Sequence, residues 1–232
     1  MDYKKEFTQY ATRHLGIDQA VLEHQMKRQP QLFGFTPSVI EERQLNVAQM
    51  DVFSRLMMER IIFLGVAIDD YVANVIQAQL LFLDSVDPKR DIQIYINSPG
   101  GSVPAGLGIY DTMQFISSDV STICTGIAAS MSAVLLSSGV KGKRTCLRHS
   151  RVMIHQPHGG MQGQVSDMEI TYKLFKELQQ ELYQILAQNT GQDYETIRVD
   201  CDRDNWMKGE LAKDYGLVDE VLSRNTQNFT QT

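Results

Sequence analysis

The sequence predicts an α/β fold with a largely parallel sheet, and three observations carry that prediction. Between residues 51 and 222, short β-prone runs alternate with segments whose apolar residues recur at helical spacing. Alternation of this kind joins neighbouring strands through crossover helices, which makes the strands parallel. The 232 residues are 43% hydrophobic, enough for one domain with a sizeable core.

Taken in order, the core begins near Asp51, where Val52, Phe53, Leu56 and Met57 repeat at helical spacing. Arg60-Ile61-Ile62-Phe63-Leu64, closed by Gly65, reads as a buried strand. Asp69 can cap the next helix, with Val72, Val75, Ile76, Leu80 and Leu83 on its apolar side. Asp91-Ile92-Gln93-Ile94-Tyr95-Ile96 alternates and is a second strand. The loop Asn97-Ser98-Pro99-Gly100-Gly101-Ser102 leads into a helix through Ile109, Met113 and Phe115. Val120-Ser121-Thr122-Ile123 opens a third strand, and Ala133-Val134-Leu135-Leu136 suits a helix ending near Gly139. Two extended runs follow at residues 144–147 and 151–154, then a Gly- and Gln-rich connector. Ser166 and Glu169 have the spacing of a capping box for the longest helix, which carries Ile170, Leu174, Leu178, Leu182 and Ile185 and stops at Gly191. Such a helix serves equally as an assembly arm or as a plain surface helix. A last helix ends at Gly216, and residues 217–221 read as the closing strand.

Residues 1–34 are polar and of mixed charge, and we expect an N-terminal appendage or leader there. The expected division is 1–34, a main domain over 35–224, and a tail over 225–232. A net charge of −6 disfavours nucleic-acid binding and gives no basic patch for a membrane. No apolar run is long enough to span a bilayer, and the first residues lack the apolar centre of a signal peptide. Cys124, Cys146 and Cys201 show no C-x-x-C spacing and read as buried thiols of a reducing compartment. A cytoplasmic protein is expected.

Chemistry centres on Ser130. It falls where the third strand turns into a helix, with Gly126, Ala128 and Ala129 giving it little steric cover. A hydroxyl there sits at a positive helix end, and the next backbone N–H can face a developing oxyanion. The plain alternative is a small-residue helix packed on a sheet, and the G-x-S-x-G signature is absent. A serine nucleophile needs a base and a group to orient it. Of the five histidines, His14 and His24 lie in the appendage, while His155 ends an apolar strand, where sites of open α/β sheets gather. His158 lies in the following loop; with no Cys or carboxylate cluster beside the pair, no metal is expected. Spacing alone leaves Asp200, Asp202 and Asp204 all open as the orienting carboxylate. Gly100-Gly101 is either a tight turn or a backbone N–H offered to an anion. Gly142-Lys143 precedes Arg144, so it is not a phosphate-binding P-loop.

Five stretches stand in the order seen in the ClpP family, the proteolytic subunits of ATP-dependent Clp proteases. They are Tyr95-Ile96-Asn97-Ser98-Pro99-Gly100-Gly101-Ser102, Ala128-Ala129-Ser130-Met131, Arg151-Val152-Met153-Ile154-His155-Gln156-Pro157, Asp202-Arg203-Asp204 and Tyr215-Gly216-Leu217-Val218-Asp219. The resemblance covers residues 36–224. It implies a crotonase-like spiral of strand–helix units with a projecting handle helix around residues 158–190. It implies Ser130 as nucleophile, His155 as general base, Asp204 as its orienter, and the N–H groups of Gly101 and Met131 as oxyanion hole. It further implies a homo-oligomer of two stacked heptameric rings, with Asp202 and Arg203 at the ring-to-ring contact, cutting unfolded polypeptides. No cofactor is expected in the chain itself, since ATP would be used by a separate ring-shaped Clp ATPase. Ser132, where the family commonly has Gly, and Pro104 and His158 depart from the usual pattern; a side chain at 132 is expected to crowd the helix start, and His158 to alter the substrate groove. Rival readings are a catalytically silent ring subunit, against which the intact triad argues, and an acyl-CoA enzyme of the same fold, against which the His-Gln-Pro and Asp-Arg-Asp motifs argue.

Overall fold

The computed structural model of the chain describes residues 38–43 and 46–223. The expectations for residues 1–34 and 225–232, including His14 and His24, lie outside the described residues. The chain divides into two units, residues 1–55 and 56–232. Within the first, β1 (Ser38–Arg43) and β2 (Asn46–Asp51) form an antiparallel hairpin, with Ser38 opposite Asp51 and Arg43 opposite Asn46. The sequence gives no periodic signal there, and the pairing is a finding of the structure. Helix α1 (Val52–Met58) follows, and Asp51 accepts from both the N–H (3.0 Å) and the hydroxyl (2.5 Å) of Ser54 at its start.

The second unit is the α/β body. In chain order it holds β3 (Ile61–Leu64), α2 (Asp70–Val86), β4 (Ile92–Ser98), α3 (Val103–Phe115), β5 (Val120–Ala129), α4 (Met131–Ser137), β6 (Arg144–Leu147) and β7 (Arg151–Ile154). Then come α5 (Val165–Thr190), α6 (Tyr194–Asp200), β8 (Asn205–Lys208), α7 (Gly209–Tyr215) and β9 (Glu220–Leu222). Strands β3, β4, β5, β6 and β9 lie side by side and parallel, as the alternation of elements predicts. Ile62, Leu64, Ile92, Ile94 and Ile96 on the strands, and Ile76, Leu80, Leu83 and Ile109 on the helices against them, form the core. No helix among the described residues is long and apolar enough to cross a membrane.

Strand β5 positions the site because it forks the sheet. Its first half pairs with β6 through residues 122–124, and its last three residues pair with β7. The fork is prepared by an irregularity opposite β4: Ile96 faces Cys124, but Ser98 faces Ala128. Extra residues on one strand bend it and increase its twist. Asn97 fills the bulge, its side-chain oxygen accepting from the N–H of Ile127 at 3.1 Å. A Cβ on Gly126 would stand 2.4 Å from that oxygen, so a larger residue there would displace the Asn97 side chain from the bulge.

Two boundaries differ from the sequence reading. Helix α5 starts at Val165, with Gln164 at its N-cap and no side-chain cap bond, so Ser166 and Glu169 do not form a capping box. Residues 217–219 are not strand: Leu217 donates its N–H to Ala212 O (2.9 Å) past the left-handed Gly216, closing the end of α7, and Leu217 and Val218 are buried. Helix α6 and strand β8 carry no clear pattern in the sequence.

Candidate active site

Ser130 sits between the last residue of β5 and the first of α4, at φ 57°, ψ −127°. That is left-handed backbone at a non-glycine residue, costing about 1–3 kcal/mol and persisting only where the surroundings fix it. The fixing is visible. Ser130 N–H donates to Met153 O on β7 (2.9 Å), and Ser130 O accepts from Ala133 N–H (2.9 Å) in the first turn of α4. An N-cap serine ordinarily spends its hydroxyl on its own helix, but Ser130 makes no side-chain cap bond. It instead lines a pocket with Val103, Met131, Val134, Ile154, His155, Pro157, Leu182, Tyr183 and Leu186.

His155 follows directly on β7, and the register of β7 with β8 chooses its partner. Ile154 lies opposite Asn205 in the antiparallel pair, which brings the next residue of one strand to the preceding residue of the other. His155 Nδ1 is 2.9 Å from Asp204 Oδ1. The other two carboxylates are engaged elsewhere. Asp200 accepts from the hydroxyl of Tyr215 (2.8 Å), and the Asp202 carboxylate accepts from Gln156 Nε2 (3.4 Å), which also donates to the Asp202 backbone carbonyl (2.8 Å). An acceptor at Nδ1 holds that nitrogen protonated and leaves Nε2 as the basic one. Nε2 is buried and has no hydrogen-bond partner among the described residues. It makes none to Ser130, although both side chains line the same pocket; in sites without substrate such bonds are often long. His158 stands edge-on to His155, ring centroids 5.3 Å apart.

The Gly100-Gly101 pair is more than a turn. Gly100 has φ +89°, and a Cβ on it would stand 2.5 Å from Ala129 O, 2.7 Å from Ser130 Cβ and 2.9 Å from Met131 N. A Cβ on Gly101, at φ +153°, would meet Ile68 O at 2.2 Å. The loop is pinned by Ile68, whose N–H donates to Gly100 O and whose O accepts from Ser102 N–H, both at 2.8 Å. Among the described residues neither Gly101 N–H nor Met131 N–H donates a hydrogen bond. The three thiols offer no competing nucleophile, since all are buried. Burial pushes Cys201 up to about 12 and Cys146 up to about 11, and it raises Cys124 as well.

Asp202 and Arg203 immediately precede Asp204, but as a loose exposed pair: Nε to Oδ2 is 3.9 Å and the Arg203 side chain is 91% exposed. Two participants escaped the sequence reading. Gln156, in the quoted His-Gln-Pro motif, donates to the Asp202 carbonyl and accepts from Gln179 Nε2 (3.2 Å), tying the Asp204 turn to α5. Ser132 does not crowd the helix start as its departure from glycine suggested. Its hydroxyl is fully buried, 2.6 Å from Ser98 O and 2.8 Å from Ala129 O.

A strained serine at a strand-to-helix turn, a carboxylate-bound histidine on its pocket wall and two undonated N–H groups make the arrangement of a serine hydrolase. A sequence model described as Clp protease matches residues 43–225. The chain is 63% identical over 217 residues to the ATP-dependent Clp protease proteolytic subunit of Bacteroides fragilis strain YCH46, covering 94% of this chain and 98% of that protein. It is 60% identical over 220 residues to the protein of the same description from Porphyromonas gingivalis strain W83, covering 95% and 98%. The chain belongs to the Clp protease family.

Proposed function

We propose that this chain is the proteolytic subunit of an ATP-dependent Clp protease, a serine peptidase that hydrolyses unfolded polypeptides. Ser130 attacks the scissile carbonyl while His155 Nε2 takes its proton and returns it to the leaving amine. Asp204 holds the imidazole in the tautomer this requires. The N–H groups of Gly101 and Met131 receive the oxyanion. The observation that carries the reading is the His155 Nδ1 to Asp204 contact at 2.9 Å, with Nε2 buried and unpartnered on the pocket wall that Ser130 shares. No cofactor enters these steps.

The active form in this reading is two stacked heptameric rings enclosing the sites, cytoplasmic, and fed by a separate ring-shaped Clp ATPase. Support comes from the descriptions of the relatives and from the exposed apolar half of α5, where Ile170 is 67% and Leu174 51% exposed. Residues 158–190 then form the handle between rings, and Asp202 and Arg203 the contact across them. Residues 35–224 form the peptidase domain, with 1–34 a leader and 225–232 a tail. A fluorophosphonate probe, with peptide cleavage and native mass measured on the same sample, tests the proposal. Label on Ser130 in an active tetradecamer is the expected result. Folded protein that neither cleaves peptides nor takes label overturns it.

A further inference from the structure

Ser132 takes no part in the proton path, yet it is a polar side chain with no exposure at all. Its oxygen lies 2.6 Å from Ser98 O and 2.8 Å from Ala129 O, so its one proton is shared between two carbonyls. Those carbonyls belong to different pieces of the site. Ser98 ends β4 and opens the loop that carries Gly101, and Ala129 ends β5 with the peptide on which Ser130 turns.

We propose that Ser132 is a positioning residue that holds the two N–H donors of the oxyanion hole, those of Gly101 and Met131, at a fixed separation; this rests on the peptidase reading above. Ser132 lies next to Met131 on α4 and grips the Gly101 loop at its root. The grip is passed on, because the Ser98 hydroxyl accepts from Gly100 N–H at 3.2 Å. The far side of the loop is held by the backbone bonds to Ile68. On the near side, the Ser132 hydroxyl makes the only side-chain hydrogen bond between residues 98–102 and α4 among the described residues. The hole is filled only when the carbonyl oxygen becomes an oxyanion, so a loosened hole weakens the transition state more than the bound substrate.

The test is Ser132→Ala in the full chain, with a short fluorogenic peptide, a peptide boronate whose adduct places an oxygen in the hole, and thermal unfolding. Loss of one hydrogen bond of ordinary worth lowers kcat about tenfold. KM is expected to stay within about twofold, the boronate to weaken by the same factor as kcat, and folding and ring mass to be kept. An unchanged kcat and boronate affinity overturns the proposal. So does an equal change in KM and kcat/KM with kcat retained, which would make the residue a binding determinant. So does a Ser132→Ala chain that no longer folds, because the hydroxyl would then be holding the fold rather than the hole. Failure of the peptidase reading shows separately, as a wild-type protein without activity or label on Ser130.

Discussion

Gly100→Ala perturbs the site by a known amount, and the molecule contains its own control. Gly100 has φ +89° and Gly142 has φ +88°, so alanine meets a positive-φ backbone penalty at both positions. That penalty is about 1–2 kcal/mol. The surroundings differ completely. A Cβ at 142 meets nothing within 4 Å, whereas a Cβ at 100 reaches Ala129 O at 2.5 Å, Ser130 Cβ at 2.7 Å and Met131 N at 2.9 Å. Two of those atoms are backbone and the third is the stem of the nucleophile, so none is the tip of a flexible side chain. Ordinary contact begins near 3.4 Å, so the loop and the elbow must part by several tenths of an ångström, up to about 0.9 Å. Displacements of about 1 Å in a catalytic constellation cost on the order of a hundredfold in rate. Gly100→Ala is therefore expected to lower kcat/KM for a short peptide about a hundredfold, and Gly142→Ala to lower only the melting temperature. Peptide cleavage and thermal unfolding of both variants check this. Wild-type turnover by Gly100→Ala, or equal losses of activity in the two variants, refutes the argument that the loop's approach to Ser130 matters to catalysis.

Ser130→Ala is expected to fold normally and lose on the order of a millionfold in kcat, read as peptide cleavage by contaminant-free protein. Arg203→Ala is expected to lower both the tetradecamer population and peptidase activity, read by sedimentation and cleavage on one sample; a fully active double ring would show the exposed pair to be surface charge alone. For Asp219, burial pushes the carboxyl up, but the bonds it accepts from the Arg144 side chain and from the Arg144 and Gly142 N–H groups outweigh it and leave it below the ordinary carboxylate range. Its stabilisation is thus fully present above the unfolded-state value and lost as pH falls through the folded-state one, so Asp219→Asn is expected to lower the melting temperature by roughly 5 °C at neutral pH, a gap that closes in acid.

Ser130 and His155, which we propose as nucleophile and base, stood out as candidates because each lies at the end of an apolar strand, where side-chain pattern and site position coincide. The parallel body was legible from its apolar residues: Ile62, Leu64, Ile92, Ile94 and Ile96 recur at every second position and mark the face of β3 and β4 that is buried. The choice among Asp200, Asp202 and Asp204 was not legible from spacing. It depends on the register of a four-residue strand, Asn205-Trp206-Met207-Lys208, that is too short and too polar to show a period. The hairpin of β1 and β2 likewise lacks an alternating pattern. The capping box failed because the chain enters the helix two residues earlier than that spacing requires, with Gln164 rather than Ser166 at the N-cap. Ser132 looked like crowding because a sequence does not display the two backbone carbonyls that its hydroxyl meets.

Helix α5 connects the two halves of the proposed function. Its N-terminal half turns apolar residues to the outside, with Ile170 and Leu174 exposed. Its C-terminal half buries Leu182, Tyr183 and Leu186, and the same three side chains wall the pocket of Ser130 and His155. Between the halves, Gln179 donates to Gln156 (3.2 Å) and to the Tyr183 hydroxyl (3.1 Å), and Gln156 in turn donates to the Asp202 carbonyl. Asp204, whose own side chain is 60% exposed, therefore stands on a turn held from behind by the helix rather than by a core of its own. A rigid helix moves as a unit, so a load on its exposed half reaches the pocket wall and the turn that carries Asp204. In the stacked rings we propose, that load is the partner ring's surface, and the neighbouring exposed pair, Asp202 and Arg203, gains a partner at the same moment that the helix does. On that proposal ring association bears on the turn that carries Asp204, whose side chain already holds His155 Nδ1 at 2.9 Å within the single chain.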